Sequence, residues 1–150
     1  MKVENIFLQI FYQFPDFAIY DNIGVSCIAY CKRTRCILAG SKSGHVVAYD
    51  ERAFHKPLSC VHAHDYAIKC LAFDPRENFY VTGSASGDVK AWDVSTHQLM
   101  YECPQEHPRN SIFRHYGSGT MKVQVTGDFI FSCGADGTLK MTDCRSVGLI

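Results

Sequence analysis

One pattern occurs three times in this chain, and it constrains the fold more than any other feature. Residues 24–52 and 67–95 align without a gap as an apolar strand, a polar turn, a second apolar strand, the pentapeptide G-S-x-S-G, a third strand and an aromatic-Asp pair. Gly40 precedes Gly83 by 43 residues, and Tyr49 precedes Trp92 by the same distance. Trp92, the only tryptophan, is therefore one element of a repeated unit.

A third copy over residues 121–144 repeats the scheme, with A-D-G-T at the tight turn and Thr142-Asp143 at its end, 50 residues after Trp92-Asp93. Apolar runs rich in β-branched and aromatic residues alternate with turn signals, which is typical of short strands. The pattern predicts strands over 25–31, 36–41, 45–50, 58–62, 68–73, 79–84, 88–94, 98–103, 121–126, 129–133 and 138–143. Without crossover helices, these strands must pair antiparallel.

A period of about 40–45 residues with four strands per unit is typical of a β-propeller blade. With His64-Asp65, Thr82-Gly83-Ser84 and Trp92-Asp93, the chain resembles the WD-repeat family. We expect an all-β fold, a partial β-propeller of about three four-stranded blades near 24–62, 67–103 and 120–150. We expect residues 17–150 to form this unit and residues 1–16 to be a separate N-terminal segment whose structure the sequence does not specify. Because three blades do not close a ring, we expect the C-terminal part of a larger one.

The resemblance also implies a buried network in each blade that links a turn aspartate, a histidine, a Ser or Thr and the tryptophan. No copy has the complete set: Ser86 replaces the aspartate in the second copy, Thr142 replaces the tryptophan in the third, and the first has Ser43 and Tyr49. The residues expected to form such structural networks are His64, Thr82, Trp92, Ser132 and Asp136.

The amino-acid composition excludes few classes of function. Fifteen acidic and fifteen basic residues balance, so no overall field favours nucleic acid. Eight cysteines could form four disulfides in a secreted protein, but most lie in apolar strands, which favours reduced thiols in a cytosolic protein. No C-x-x-C pair is present, and Cys27, Cys31 and Cys36 with His62 and His64 form a weak alternative as metal ligands.

The N-terminal run from Ile6 to Phe14 is apolar but contains Gln9 and Gln13, and no small-residue cleavage site follows it. A signal peptide is therefore the less favoured interpretation. No run approaches the 18 or more apolar residues of a membrane span.

Residues 101–140 carry a more specific resemblance. The run S-I-F-R, then G-x-G-x-M and F-S-C-G-A-D-G-T-L-K, is similar to the C-terminal propeller of the DmX-like (rabconnectin-3 alpha) family, as is HAHDYAIKCLAFDP. This resemblance covers roughly 17–144. It implies a non-enzymatic scaffold that binds subunits of the vacuolar-type proton pump, promotes its assembly and supports organelle acidification. It also implies a cytoplasmic location, peripheral on endosomal or synaptic vesicles.

The insertion at 105–119 is the element we expect to face a partner, with Arg109, Arg114 and Tyr116 as candidate anchors, because interfaces favour Tyr and Arg. The alternative is a packing loop that holds Phe113 in the core. A generic WD-repeat adaptor, such as a ubiquitin ligase receptor, is the alternative function. A catalytic interpretation of His64 with Asp65 or Cys60 is disfavoured. We expect no catalytic residue, metal or cofactor.

Overall fold

The computed structural model describes residues 24–53, 57–108 and 119–150. These ranges contain eleven β-strands and no helix. Their bounds are β1 Val25–Cys31, β2 Cys36–Ser41, β3 His45–Asp50, β4 Pro57–His62, β5 Ile68–Phe73, β6 Phe79–Ser84, β7 Val89–Asp93, β8 Leu99–Cys103, β9 Thr120–Thr126, β10 Phe129–Gly134 and β11 Leu139–Asp143. Each strand coincides with a predicted one to within two residues at either end.

The strands form three antiparallel sheets, each built from consecutive strands. The first sheet has the order β1-β2-β3-β4 and the second β5-β6-β7-β8, while the third contains β9, β10 and β11 in the described residues. The expected all-β partial propeller is therefore confirmed, and each sheet is one blade. The third blade differs from the expected four-stranded form, because residues 144–150 contribute turns and no strand.

Glycine fixes the tight turn between the second and third strands of each blade. In the second blade Gly87 has φ of +102°, a conformation that side chains rarely adopt. A Cβ at this position would lie 1.9 Å from the carbonyl oxygen of His107, in the segment that leads to the next blade. The repeated glycine thus serves both the turn and the close approach of the next segment.

Two apolar cores hold the three blades together face to face. Between the first and second blades, Leu38, Val46 and Ala48 pack against Ile68, Tyr80 and Trp92. Between the second and third blades, the buried residues are Cys70, Phe79, Val81, Val89, Ala91, Val123, Val125, Ile130, Cys144 and Leu149. Burial of these side chains is the main favourable contribution to the stability of the array.

The first strands of successive blades, β1, β5 and β9, lie beside one another. A glycine at the end of each second strand permits this approach. A Cβ on Gly83 would lie 2.6 Å from Cγ2 of Thr120 on β9, and one on Gly40 would lie 2.9 Å from Cγ2 of Ile68 on β5. These distances are too short for real Cβ contacts, so the G-S dipeptide of the repeat sets the spacing between blades.

Candidate functional site

The second blade contains a buried network centred on the Thr82 hydroxyl. Trp92 Nε1 donates to Thr82 Oγ1 at 2.9 Å, and His64 Nε2 lies 2.8 Å from the same oxygen. All three residues are at most 5% exposed. The structure thus brings together the three residues expected from the sequence, and the indole N–H has an acceptor despite its burial.

His64 has one ring nitrogen without a partner. Its Nδ1 is buried and has no hydrogen-bond partner among residues 24–53, 57–108 and 119–150. Burial lowers the pKa of His64 to about 4, and the positive charge of Lys90 acts in the same direction. The ring is therefore neutral at physiological pH, with a proton on one nitrogen only.

The turn of the second blade explains why His64 Nδ1 has no hydrogen-bond partner. Ser86, at the aspartate position of the repeat, has its Oγ 2.5 Å from Ser84 Oγ and also donates to the Asp88 carboxylate. Asp88 in turn accepts a hydrogen bond from the backbone of Gln105 at 2.8 Å. The carboxylate of this turn is thus displaced by two residues along the chain, and it bonds Ser86 and Gln105 instead of His64.

The third blade contains a network that includes a turn aspartate. His107 Nε2 lies 2.9 Å from Ser132 Oγ, and its Nδ1 lies 3.1 Å from Asp136 Oδ1. His107 is completely buried. Burial opposes ionisation of Asp136, but hydrogen bonds from Thr138 and His107 outweigh it and lower the pKa of this carboxyl. Thr142, at the tryptophan position, is not among the hydrogen-bond partners in this network.

His107 is the functional residue that sequence reasoning missed. It lies within the 105–119 insertion that the sequence predicts to face a partner, whereas the structure buries it in the third blade. Its signal was present, because His107 follows His64 by 43 residues, the interval that separates Gly40 from Gly83. The alignment did not reveal this match, because the later residues of the third copy lie 50 residues after their counterparts in the second copy. The additional residues come after His107, so the histidine itself keeps the 43-residue interval.

Both histidines also connect neighbouring blades through the backbone. The amide of His64 donates to Gly44 O of the first blade at 3.0 Å, while its ring binds Thr82 of the second. The amide of His107 donates to Gly87 O of the second blade at 3.0 Å, while its ring binds the third. Each network therefore orients a blade relative to the one before it, which is a structural role.

The candidate partner-binding residues Arg109, Arg114 and Tyr116 lie outside the described residues, as does Phe113. The structure does describe both ends of their segment. His107 is held in the third blade, and Gly119 O accepts a hydrogen bond from Ala135 N at 2.9 Å. Ala135 belongs to the β10–β11 turn, so the segment leaves and rejoins the structure at the same end of the third blade.

The residues considered for catalysis or metal binding do not converge. His64 bonds Thr82, whereas Asp65 lies 4.0 Å from Nε2 of the exposed His62. No cluster of three or more potential ligands occurs in the part of the chain that the structure describes. All eight cysteines are free thiols, and burial raises the pKa of Cys70 to about 12, so its thiol is a poor nucleophile.

Within residues 24–53, 57–108 and 119–150, no helix has the length and apolar character needed to cross a membrane.

Comparison with known proteins agrees with this architecture. The WD40 family (WD domain, G-beta repeat) matches residues 55–93 and 109–143. DmX-like protein 1 from Mus musculus and from Homo sapiens are each 37% identical over 126 residues, which is 83% of this chain and 4% of theirs. The chain thus spans a small fraction of these relatives. The crystal structure of the RRP9 WD40 repeats superimposes with a TM-score of 0.70 at 12% identity, over 85% of this chain and 37% of that one. The chain belongs to the WD-repeat family, and within it to the DmX-like proteins.

Proposed function

We propose that this chain is a non-enzymatic interaction scaffold that takes part in assembly of the vacuolar-type proton pump and thereby in acidification of organelles. The observation that carries the proposal is the 37% identity to DmX-like protein 1 over 83% of the chain. The relatives are far longer, so the activity belongs to the whole polypeptide in which such repeats occur. In this role the protein works at the cytoplasmic surface of vesicles, without spanning them.

The site geometry supports a scaffold. The polar networks of the second and third blades are buried, and their hydrogen bonds orient blades instead of presenting reactive groups to solvent. Rigid sheets with variable connecting segments are a common platform for binding proteins. The segment between Pro108 and Gly119 is the connection in which we place the partner contact, through Arg109, Arg114 and Tyr116.

The test is affinity capture of the full polypeptide containing these repeats, from cells in which its gene carries a tag. We expect subunits of the vacuolar-type pump among the captured proteins, and a higher luminal pH of endosomes when the protein is depleted. The double variant Arg114→Ala/Tyr116→Ala should lose the pump subunits. Arg52→Ala, an exposed arginine on the β3–β4 connection of the first blade, serves as the matched control and should retain them.

Two results would contradict the proposal. Capture of a cullin adaptor without pump subunits would instead identify a ubiquitin ligase receptor, the alternative adaptor function. Normal acidification after complete depletion would exclude the proton-pump role, even if a WD-repeat scaffold were retained. If pump capture persists in the Arg114/Tyr116 variant, the scaffold function stands and the contact lies outside this segment.

A further inference from the structure

Two cysteines of the first blade face each other across the β1–β2 hairpin. Cys31, the last residue of β1, lies directly opposite Cys36, the first residue of β2. The other cysteines of the described strands lie opposite residues of other types, namely Gly40, Val47, Gly83, Val89, Lys122 and Leu139. Directly opposed side chains project from the same face of a sheet. The described strands therefore contain one cross-strand pair of thiols.

The backbone geometry of this pair is compatible with a disulfide. Directly opposed Cα atoms in an antiparallel pair are about 4.5–5.5 Å apart, within the range of about 4.4–6.8 Å that a disulfide spans. Each thiol has one weak hydrogen bond at present: Cys31 Sγ lies 3.5 Å from Glu77 Oε2, and Cys36 Sγ lies 3.3 Å from Thr34 O. Because a thiol is a weak donor, little opposes the rotation of either side chain toward the other.

The repeat itself does not require cysteine at these two positions. Forty-three residues later, the second blade has Asp74 and Phe79 in place of Cys31 and Cys36. Asp74 is 3% exposed and Phe79 is fully buried, so the fold accepts side chains of quite different size and polarity there. The paired cysteines of the first blade thus point to the chemistry of their thiols more than to their packing.

A cleft between the first two blades gives small solutes access to both thiols. It has a volume of about 400 Å³, and its lining includes Cys31 and Cys36 of the first blade and Phe73 and Val94 of the second. Cys31 is 1% exposed, whereas Cys36 is partly exposed. Ser59 Oγ also lines the cleft; it is buried and has no hydrogen-bond partner in the part of the chain that the structure describes. A small polar oxidant that enters therefore finds a hydrogen-bonding group in the same cleft as both thiols.

We propose that Cys31 and Cys36 form a reversible disulfide in the presence of a hydroperoxide, and that the contact between the first two blades responds to it. The partly exposed Cys36 reacts first: its sulfur takes one oxygen atom from the hydroperoxide, which is reduced to an alcohol or to water, and becomes a sulfenic acid. The Cys31 sulfur then attacks the Cys36 sulfur, so that the S–S bond forms and water leaves. A dithiol reductant restores both thiols and is itself oxidised to a disulfide.

Glu77 of the second blade connects this chemistry to the contact between blades. Its carboxylate accepts hydrogen bonds from the Cys31 thiol and from the backbone amides of Lys32 and Arg33, all in the first blade. Burial raises the pKa of Glu77, whereas the two amides and the Cys31 thiol lower it. Disulfide formation removes the thiol hydrogen, so one of the bonds between the blades is lost and the pKa of Glu77 should rise.

The experiment is peptide mapping by mass spectrometry of the folded 150-residue chain, at low concentration, before and after treatment with hydrogen peroxide. A linked pair of peptides containing Cys31 and Cys36 should appear, lighter by two hydrogens than the separate peptides, and should disappear again with dithiothreitol. Cys36→Ser should abolish it. Cys60→Ser is the matched control, because Cys60 is exposed on β4 and its thiol takes no part in the pair. Oxidation of other cysteines while Cys31 and Cys36 stay reduced, a sulfenic acid on Cys36 that never resolves, or a disulfide formed only in urea would overturn the proposal.

NMR titration of the Glu77 carboxylate tests the coupling to the second blade. The pKa of Glu77 should be higher in the oxidised chain than in the reduced chain. Cys31→Ala removes the thiol without forming a disulfide and should raise this pKa in the same direction. Cys31→Ser retains a hydroxyl donor, so it should keep the lower pKa although it forms no disulfide. Equal pKa values of Glu77 in the reduced and oxidised chains would overturn the link between the disulfide and the contact of the two blades.

Discussion

Trp92 Nε1 donates a hydrogen bond to Thr82 Oγ1 at 2.9 Å, from the strand next to the one that carries the threonine. The same hydroxyl lies 2.8 Å from His64 Nε2. One side chain of β6 therefore satisfies two buried polar groups from different parts of the repeat. The indole ring itself packs in the core between the first and second blades, with its plane 16° from that of Tyr80.

Thr82→Val should destabilise the chain strongly, although it preserves the shape of the side chain. It leaves Trp92 Nε1 and His64 Nε2 buried without a partner, and each unsatisfied group costs about 1–3 kcal/mol. Urea unfolding followed by Trp92 fluorescence measures the effect. Thr126→Val, at an exposed strand position on β9, is the control. Equal free energies of unfolding for the two variants would show that the Thr82 network contributes nothing.

The sequence was sufficient to predict the strands, because turn glycines and apolar runs recur at a fixed interval. It also identified Thr82, Trp92 and Ser132, which the structure places in buried networks. Residues 147–150 (V-G-L-I) are barely sufficient for a fourth strand in the third blade, and the sequence does not show what they form in its place. In the structure Leu149 N instead bonds Cys144 O in a turn, and the Leu149 side chain packs into the second core.

Ser86→Asp should raise the pKa of His64 and stabilise the second blade. The third blade shows the arrangement to be recreated, with Asp136 Oδ1 3.1 Å from His107 Nδ1. A carboxylate at position 86 would give His64 Nδ1 an acceptor and favour its charged form. NMR titration of the His64 ring should show a pKa well above its present value of about 4.

The reverse substitution in the third blade provides the matched control for this experiment. Asp136→Ser removes the carboxylate that accepts from His107 Nδ1 and leaves Thr138 Oγ1, at 3.1 Å, as its partner. Because His107 is completely buried, the loss should destabilise the chain by about 1 kcal/mol. If the pKa of His64 is unchanged by Ser86→Asp, the carboxylate at position 86 does not reach the ring.

Stability should fall as the pH decreases through the range from about 6.5 to about 4. His64 has a pKa near 4 in the folded chain and 6.5 in the reference state, so the unfolded chain binds more protons in this interval. The contribution is complete above pH 6.5 and is on the order of 3 kcal/mol. His45 and His97, whose pKa values burial also lowers, change stability in the same direction.

The His64 contribution can be isolated with His64→Gln, which retains a polar side chain but does not titrate. Unfolding free energies at a series of pH values should show a shallower slope for the variant than for the wild type between pH 4 and 6.5. Identical slopes would mean that the imidazole of His64 titrates normally in the folded chain.

Gly83→Ala should separate the inner strands of the second and third blades. The added Cβ would lie 2.6 Å from Cγ2 of Thr120 and 2.7 Å from Cys70 Sγ. Overpacking of this kind costs about 1–3 kcal/mol. Thr120→Ser removes one of the two clashing groups, so the double variant should be more stable than the sum of the single changes predicts. Strict additivity, measured by denaturant unfolding, would show that Gly83 does not set the blade spacing.

Glu77→Gln should weaken the contact between the outer turns of the first two blades. The Glu77 carboxylate accepts hydrogen bonds from the backbone amides of Lys32 at 3.0 Å and Arg33 at 2.5 Å. Burial opposes ionisation of Glu77, but these bonds outweigh it and lower its pKa, so their contribution persists at neutral pH and is lost as the pH falls through this lowered pKa.

Loss of the charge should cost about 1 kcal/mol and increase hydrogen exchange at Lys32 and Arg33, because a neutral amide can accept at one oxygen only. Glu102→Gln, which removes an ion pair between the exposed Glu102 and the partly buried Lys90 inside the second blade, is the control and should leave these two amides unchanged. The exchange readout separates an inter-blade contact from a general loss of stability, since a general loss would accelerate all amides that exchange by global unfolding. If hydrogen exchange at Lys32 and Arg33 is unchanged in Glu77→Gln, the Glu77 carboxylate does not hold the first two blades together.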